Sequence, residues 1–364
     1  MLALRTFFRS AARSLTSPTD RATNTQEYPM KRKALALFSG GLDSILAVRL
    51  MQEQGIEVEA VSFVLPFFSC SSDGTERDLA AARVARHLGI PIWVINFGPE
   101  FLELIRNPLH GYGKAVNPCI DCRIHMLVKA REQMVKCGAD FIITGEVLGQ
   151  RPMSQRRDTM SVVERESGLE GLLLRPLSAL HFEPTIPERE GWVDRERLAA
   201  IKGRSRKEQM RLADELGVTE YPNPGGGCLL TEVSFAPKVR DLFEHCDQLD
   251  PRDFRLLRIG RHFRLGERCK LIIGRDERDN KRLEEALLPG ETCLRWMDGN
   301  TPLGVLTGNP EERHLDLASR LLLRYTRAEA GSTCRVRVTV DGRESLREVA
   351  HTMSEEELGH YRID

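Results

Sequence analysis

The chain has 364 residues, of which 41% are hydrophobic and 29% charged, the composition of a folded protein rather than a disordered one. Its 53 Lys and Arg balance 53 Asp and Glu, so any nucleic-acid surface must be a local patch. No run approaches the roughly 20 apolar residues of a membrane-spanning helix, and nine Cys are too sparse for a secreted disulfide scaffold.

Residues 1–29 carry Arg5, Arg9 and Arg13 ahead of the first acid, Asp20, and are rich in Ser and Thr. Two readings stand: a mitochondrial transit peptide, or a start placed too early, with Met30 as the natural beginning. The expected location is cytoplasmic, or the mitochondrial matrix if the transit reading holds. From Lys33 to Phe38 an apolar run ends in Ser-Gly-Gly and predicts a buried strand and a turn. A helix is expected from Asp43, closed by Gly55, then a strand over Val58–Leu65. A helix over Glu76–Leu88, closed by Gly89, precedes a third strand at Pro91–Phe97. A long helix over Ile120–Cys137 leads to a fourth strand at Asp140–Thr144. Strands alternating with helices predict an α/β fold with a parallel sheet, whose ligands bind beyond the carboxyl ends of the strands. Ser39–Ser44 and Thr144–Glu146 both fall there.

Gln150 to Pro187 reads as polar and irregular, interrupted by Leu172–Ser178, and Arg195–Leu216 as a basic helical region. Tyr221–Cys228 must be a loop, because two Pro and three Gly cannot sit inside a helix or a central strand. From about Pro237 the texture suits a small α+β module, with a boundary near 235–248. The expected domains are therefore 1–29, a flexible extension, then 30–235, then 240–364.

Chemistry concentrates first in SGGLDS, Ser39 to Ser44. Gly40 and Gly41 permit a tight turn and close approach of a ligand. Successive N–H groups and the next helix N-terminus form an anion nest. Ser39 and Ser44 add hydroxyls, and Asp43 is placed to cap the helix and to help hold Mg²⁺. This is not a Walker A frame, which needs a Lys that is absent here. The hexamer resembles the PP-loop of the N-type ATP pyrophosphatases, a family that includes GMP synthetase, argininosuccinate synthetase, the 7-cyano-7-deazaguanine synthase and several tRNA thiolases. The resemblance implies an adenine nucleotide α-hydrolase-like (HUP/Rossmann-like) fold and cleavage of ATP between its α and β phosphates.

Cys119 and Cys122 form a C-x-x-C at a helix start, and Cys228 lies in a Gly-rich loop. A helix N-terminus lowers a thiol pKa. Structural Zn²⁺ wants four ligands and only three are apparent. A redox pair, a persulfide carrier, a [4Fe–4S] cluster with one open iron, zinc, or inert free thiols stay open. Cys70, Cys137, Cys246, Cys269, Cys293 and Cys334 read as plain small residues.

The run TGEVLGQRPMSQ (Thr144 to Gln155) followed by LLRPLS (Leu173 to Ser178) resembles the tRNA 4-thiouridine synthase family (ThiI), and the Cys pattern is similar to cluster-binding tRNA thiolases. Position by position, this implies that Ser39, Gly40, Gly41, Leu42, Asp43 and Ser44 hold the phosphates of ATP. It implies further that Ser62, Phe63 and Val64 face adenine, that Gly145 backs the nucleotide, and that Cys119, Cys122 and Cys228 handle sulfur. The N-terminal RNA-binding modules of that family would not fit ahead of Ser39.

Lys202, Arg204, Arg206, Lys207 and Arg211 form a basic stretch that reads either as a phosphate contact or as a solvated helix face. Leu256–Asn280 resembles the small NFACT-R-type domain (DUF814) of RNA- and ribosome-associated proteins. There Arg258, Arg261, His262, Arg264 and Arg275 interleave with Phe263, suiting phosphate contact and base stacking, with His262 as a polar surface residue. The combined expectation is an ATP-dependent tRNA sulfurtransferase of the 4-thiouridine synthase or 2-thiouridylase (MnmA) type. Its partners would be tRNA and a sulfur donor, either a cysteine desulfurase or sulfide, with no membrane and a possible homodimer. A different class stays open: amide or nitrile formation as in the deazaguanine synthase branch, with structural Zn²⁺. A non-catalytic RNA-binding protein is the third.

Overall fold

A computed structural model describes residues 31–65, 75–222, 227–299, 302–351 and 353–363, so the 1–29 extension and Cys70 lie outside the described residues. Arg32–Asp364 form one compact unit. β1 (Lys33–Leu37) is buried on both faces, which is why its sequence is apolar without alternation. It turns at Gly40, whose φ of +71° lies in the left-handed region and whose Cβ, if present, would sit 3.1 Å from the Ala81 backbone. α1 (Leu42–Gln52) is covered nearly all round, from Leu42 and Ile45 to Leu50 and Met51.

Then come β2 (Glu57–Val64), α2 (Thr75–His87), β3 (Ile92–Asn96), α3 (Pro99–Arg106), α4 (Cys119–Cys137), β4 (Phe141–Thr144), α5 (Arg157–Glu166) and β5 (Leu173–Leu174). The sheet is parallel in the order β3-β2-β1-β4-β5. The chain leaves β1 toward β2 on one side and returns as β4 on the other, with Leu37 level with Thr144. A crevice opens at such a switch point.

Two helices escaped the sequence reading. α3 begins with Pro at its first turn and buries Phe101, Leu102 and Ile105. α5 buries only Met160 and Val163 in a charged sequence, which disguises it as a polar loop. The long basic helix is corrected too. After a short α6 (Ile186–Arg189), Arg195–Arg197 is a single 3-10 turn, and α7 covers only Lys207–Glu215. Between them the chain runs beside Leu148, bridged to Lys202, and Gly203 at φ +86° donates to Leu148 O at 2.7 Å.

α8 (Ala236–His245) and α9 (Pro251–Leu256) share an apolar cluster with α3, in which Phe101, Ile105, Val239, Leu242 and Phe254 are buried. A second, antiparallel sheet follows, ordered β11-β10-β8-β9-β7-β6. Its strands are β6 (Arg261–Gly266), β7 (Cys269–Ile273), β8 (Thr292–Trp296), β9 (Gly304–Gly308), β10 (Thr333–Val340) and β11 (Arg343–Ala350). α10 (Glu277–Glu285) follows β7, while α11 (Glu312–Leu323) and α12 (Glu355–Gly359) contribute Leu321, Leu322 and Leu358 to this sheet's core. Asp241 of α8 joins it to the rest by accepting from Arg264 Nε (2.9 Å), Arg264 Nη2 (2.7 Å) and Lys270 Nζ (2.8 Å). No helix among the described residues is long and apolar enough to cross a membrane.

Candidate functional site

A cavity of about 310 Å³ lies at the crevice. Ser39, Asp43 and Ser44 line it from the β1–α1 turn, Ser62, Phe63 and Val64 from the end of β2, and Gly145 from the end of β4. Gly41, extended at φ −82° and ψ 162°, is the helix N-cap and offers no side-chain bond. The free N–H groups of the first turn of α1 therefore remain available to an anion. One expectation changes here. Asp43 does not cap the helix: its Oδ2 accepts from Gln150 Nε2 at 3.1 Å, and its Oδ1 is buried without a partner. Leu42 points into the apolar core, leaving only its main chain to the cavity side. Ser44 Oγ donates to Gly41 O at 2.8 Å, and Ser39 Oγ accepts from Gly41 N at 3.4 Å, so both hydroxyls brace the turn. Gly145 is dictated by packing: a Cβ there would lie 2.5 Å from the carbonyl carbon of Asp43 and 2.6 Å from Ser44 N.

Cys119 and Cys122 line the same cavity, with Arg123 and Met126. Cys119 opens α4 after Pro118, and Cys122 stands one turn on, its N–H bonded to Pro118 O. Cys228 precedes the 3-10 turn Leu229–Thr231 and is not on the cavity wall. Its segment is nonetheless clipped to the loop before Cys119, because Val116 N donates to Leu230 O at 3.1 Å. Burial pushes the Cys122 thiol well above its ordinary pKa; Cys119 and Cys228 add to this, and Arg123 opposes it. The lowered pKa expected at a helix start is thus not found at Cys122. Among the described residues no three His, Cys, Asp or Glu side chains are placed to hold one metal ion. Structural Zn²⁺ has no ligand set there.

Several wall residues escaped the sequence reading. Glu146 is buried, with Oε1 3.0 Å from Arg123 Nε and Oε2 3.3 Å from Arg175 Nε. Burial raises its pKa, but the two guanidinium groups and a hydrogen bond from Thr144 outweigh that and keep it below the usual carboxylate range. Arg175, equally buried, also reaches Glu164 Oε2 of α5 at 2.7 Å. The ion pair joins the Thr144–Gln155 run to the Leu173–Ser178 run, as does Leu148 N donating to Ser178 Oγ at 3.0 Å. Gln150, Arg151, Ser154 and Gln155 complete the wall.

Asp121, between the two cysteines, anchors the preceding loop. It accepts from Leu109 N and from His110 N, each at 3.1 Å, and from His110 Nδ1 at 3.0 Å; His110 Nε2 lies 3.4 Å from Glu166. The hydrogen bond to Asp121 raises the His110 pKa above its ordinary value despite partial burial. A raised histidine stabilises fully below its unfolded pKa of about 6.5, and that contribution fades as pH rises through the folded value. His110→Gln should therefore lower Tm at pH 6 more than at pH 9. Equal losses at both, read by calorimetry, would show that the imidazole's charge does nothing.

The basic stretch borders this site. Lys202, Arg204 and Lys207 are exposed, and Lys202 is bridged to Leu148, two residues before Gln150 of the cavity wall. In the second sheet the expected stacking surface is corrected. Phe263 is fully buried, and so is His262, whose Nε2 bonds to Ile259 O and whose pKa is driven down by burial. Arg264 and Arg275 are committed to Asp241 and Asp279, while Arg261 lies over the Tyr325 ring at 4.5 Å.

Residues 30–186 match the family model described as thiamine biosynthesis protein (ThiI), and residues 260–362 match that of the NFACT protein RNA binding domain. The tRNA-specific 2-thiouridylase MnmA of Clostridium acetobutylicum is 36% identical over 132 residues, covering 32% of this chain and 36% of that protein. MnmA of Trichlorobacter lovleyi is 38% identical over 120 residues, covering 32% and 33%. The chain thus spans about a third of the length of the curated relatives it matches. A solved 4-thiouridine synthetase–RNA complex with bound ATP is 23% identical, covering 51% of this chain and 52% of that one, with a TM-score of 0.33. The resemblances read from Ser39–Ser44, Thr144–Gln155 and Leu256–Asn280 are borne out by the two matched segments.

Proposed function

We propose that the protein is an ATP-dependent tRNA sulfurtransferase that adenylates a base carbonyl and replaces its oxygen with sulfur. One observation carries the reading: the anion nest of Ser39–Ser44 and the thiols of Cys119 and Cys122 line one cavity. In this reading residues 30–235 perform the chemistry, 240–364 grip RNA, and 1–29 are an appended segment. ATP would sit with its phosphates on the first turn of α1 and its base toward Ser62–Val64. Asp43 Oδ1, buried and unpartnered, fits a Mg²⁺ ligand, and the ion would neutralise phosphate charge there. A uridine or cytidine carbonyl oxygen attacks the α-phosphate and pyrophosphate leaves. Main-chain N–H groups stabilise the developing charge without a catalytic acid. The outer sulfur of a persulfide on Cys228 would then attack the base carbon and the oxygen depart with AMP. The Cys122 thiolate would attack the Cys228 sulfur, breaking the S–S bond to free the thiolated base and leaving a Cys122–Cys228 disulfide that an external thiol reductant reopens. Cys119 and Cys228 lie close enough to Cys122 to raise its pKa, but the three are not placed to share one metal ion, which favours the persulfide route over a [4Fe–4S] cluster. The target base must leave its stack to reach such a depth. A cysteine desulfurase would deliver sulfur already at the persulfide level, whereas sulfide would serve only a cluster-bound route; the working unit is expected to be a homodimer, which light scattering checks.

Nucleoside mass spectrometry of tRNA from a deletion strain tests the reading. One thiolated nucleoside should vanish; an unchanged profile overturns the proposal, and stoichiometric zinc in the purified protein would favour amide or nitrile formation. The basic stretch gives a second check. Charge reversal of Lys202, Arg204, Arg206 and Lys207 should flatten the dependence of log affinity for tRNA on log salt by about 3, at roughly 0.7–0.9 per lost phosphate contact. An unaltered slope would make the stretch a solvated face.

A further inference from the structure

A second cavity, also of about 310 Å³, lies in the matched RNA-binding segment and is lined by Arg261, Arg324, Tyr325, Glu355, Leu358 and Arg362. Three guanidinium groups face one carboxylate. Each is carried by a fixed element. Arg261 starts β6, Arg324 ends α11, and Arg362 is bridged to Phe263 of β6. The floor is apolar: Leu358 is buried, and the Tyr325 ring packs on Phe263 with centroids 6.0 Å apart. Glu355 Oε2 lies 3.2 Å from Arg324 Nη2 and Oε1 3.5 Å from Arg362 Nη1. The chain's own carboxylate thus sits between two arginines, as an exogenous anion would. It is well exposed, so it can swing out into water at little cost.

We infer that this cavity is a nucleotide-phosphate site, in which Arg324 and Arg362 take the phosphate, Glu355 competes for them, and the Arg261–Tyr325 pair borders the adjoining nucleoside. Planar guanidinium groups suit phosphate oxygens, and an aromatic ring beside a phosphate suits a nucleotide over a bare ion. The inference rests on the RNA-handling reading above and sharpens it. The grip would lie on Arg261, Arg324 and Arg362, with Arg264 excluded by its pairing to Asp241.

The test exploits opposite signs. With the full chain saturated with ATP, the anisotropy of a fluorescein-labelled single-stranded RNA is measured, with AMP and inorganic phosphate as competitors. Glu355→Gln should tighten binding about 2- to 5-fold by removing the competing negative charge. Arg324→Gln with Arg362→Gln should weaken it about 10-fold or more. This pattern for RNA assigns the site to a chain phosphate; the same pattern only for displacement by AMP assigns it to a mononucleotide. If Glu355→Gln weakens or leaves unchanged the binding of both, the carboxylate is purely structural and the inference fails. Thermal unfolding of each variant separates that result from misfolding. Pyrophosphate release and tRNA thiolation are scored separately, so a protein that binds RNA here but never thiolates refutes the sulfurtransferase reading and leaves this one standing.

Discussion

Gly145→Ala is expected to cost the protein its ATP binding, by about 100-fold or more, and to lower stability by about 1–3 kcal/mol. The added carbon would lie 2.5 Å from the Asp43 carbonyl carbon, 2.6 Å from the Asp43 carbonyl oxygen and 2.6 Å from Ser44 N. All three are main-chain atoms in the first turn of α1 and cannot rotate aside. The end of β4 must move away from the helix, and the N–H groups that face the cavity move with it. Gly359→Ala is the control, because a Cβ there meets nothing within 4 Å. It should stay within about 0.5 kcal/mol of the parent. Thermal unfolding with and without ATP reads both. Unchanged ATP affinity in Gly145→Ala would remove the β1–α1 turn from the site.

Cys228→Ser and Cys122→Ser are expected to cut thiolation at least about 100-fold while leaving tRNA-dependent pyrophosphate release within a few-fold. Serine keeps the volume but carries no transferable sulfur, so the loss should fall on the second half-reaction alone. The surroundings of Cys122 sharpen this. Burial, with Cys119 and Cys228 nearby, raises its pKa and keeps it protonated at neutral pH. It therefore serves as a nucleophile only when a base or a bound cation accompanies it. Single-turnover assays with separate readouts of pyrophosphate and thiolated nucleoside make the division visible. Equal loss of both would mean that the thiols support the fold of the cavity instead.

Much of the nucleotide side was legible because it is local. An apolar run ending in Ser-Gly-Gly can only be a strand feeding a tight turn, and Leu37 and Thr144 end level in the sheet as the alternating pattern requires. What was not legible depends on partners distant in sequence. The Glu146–Arg175 pair joins residues 29 apart, and nothing in either motif announces a charge buried against the other. Arg195–Leu216 looked helical by charge and spacing, yet hydrogen bonding to Leu148 claims its middle. In Arg261–Gly266 the arginines suggested an exposed ribbon. The burial of His262 and Phe263 together, with Asp241 reaching in for Arg264, turned it into a largely covered edge strand. α3 alone carried a usable sign, a Pro opening followed by Phe101, Leu102 and Ile105.

Arg123 follows Cys122 directly on one rigid rod, and the Glu146 carboxylate tethers that guanidinium to the opposite wall. Helix geometry sets such neighbours about 100° apart, so the sulfur and the guanidinium leave α4 on adjoining faces. A triphosphate oxygen that drew the arginine from this tether would leave Arg175 alone to balance the buried Glu146 charge.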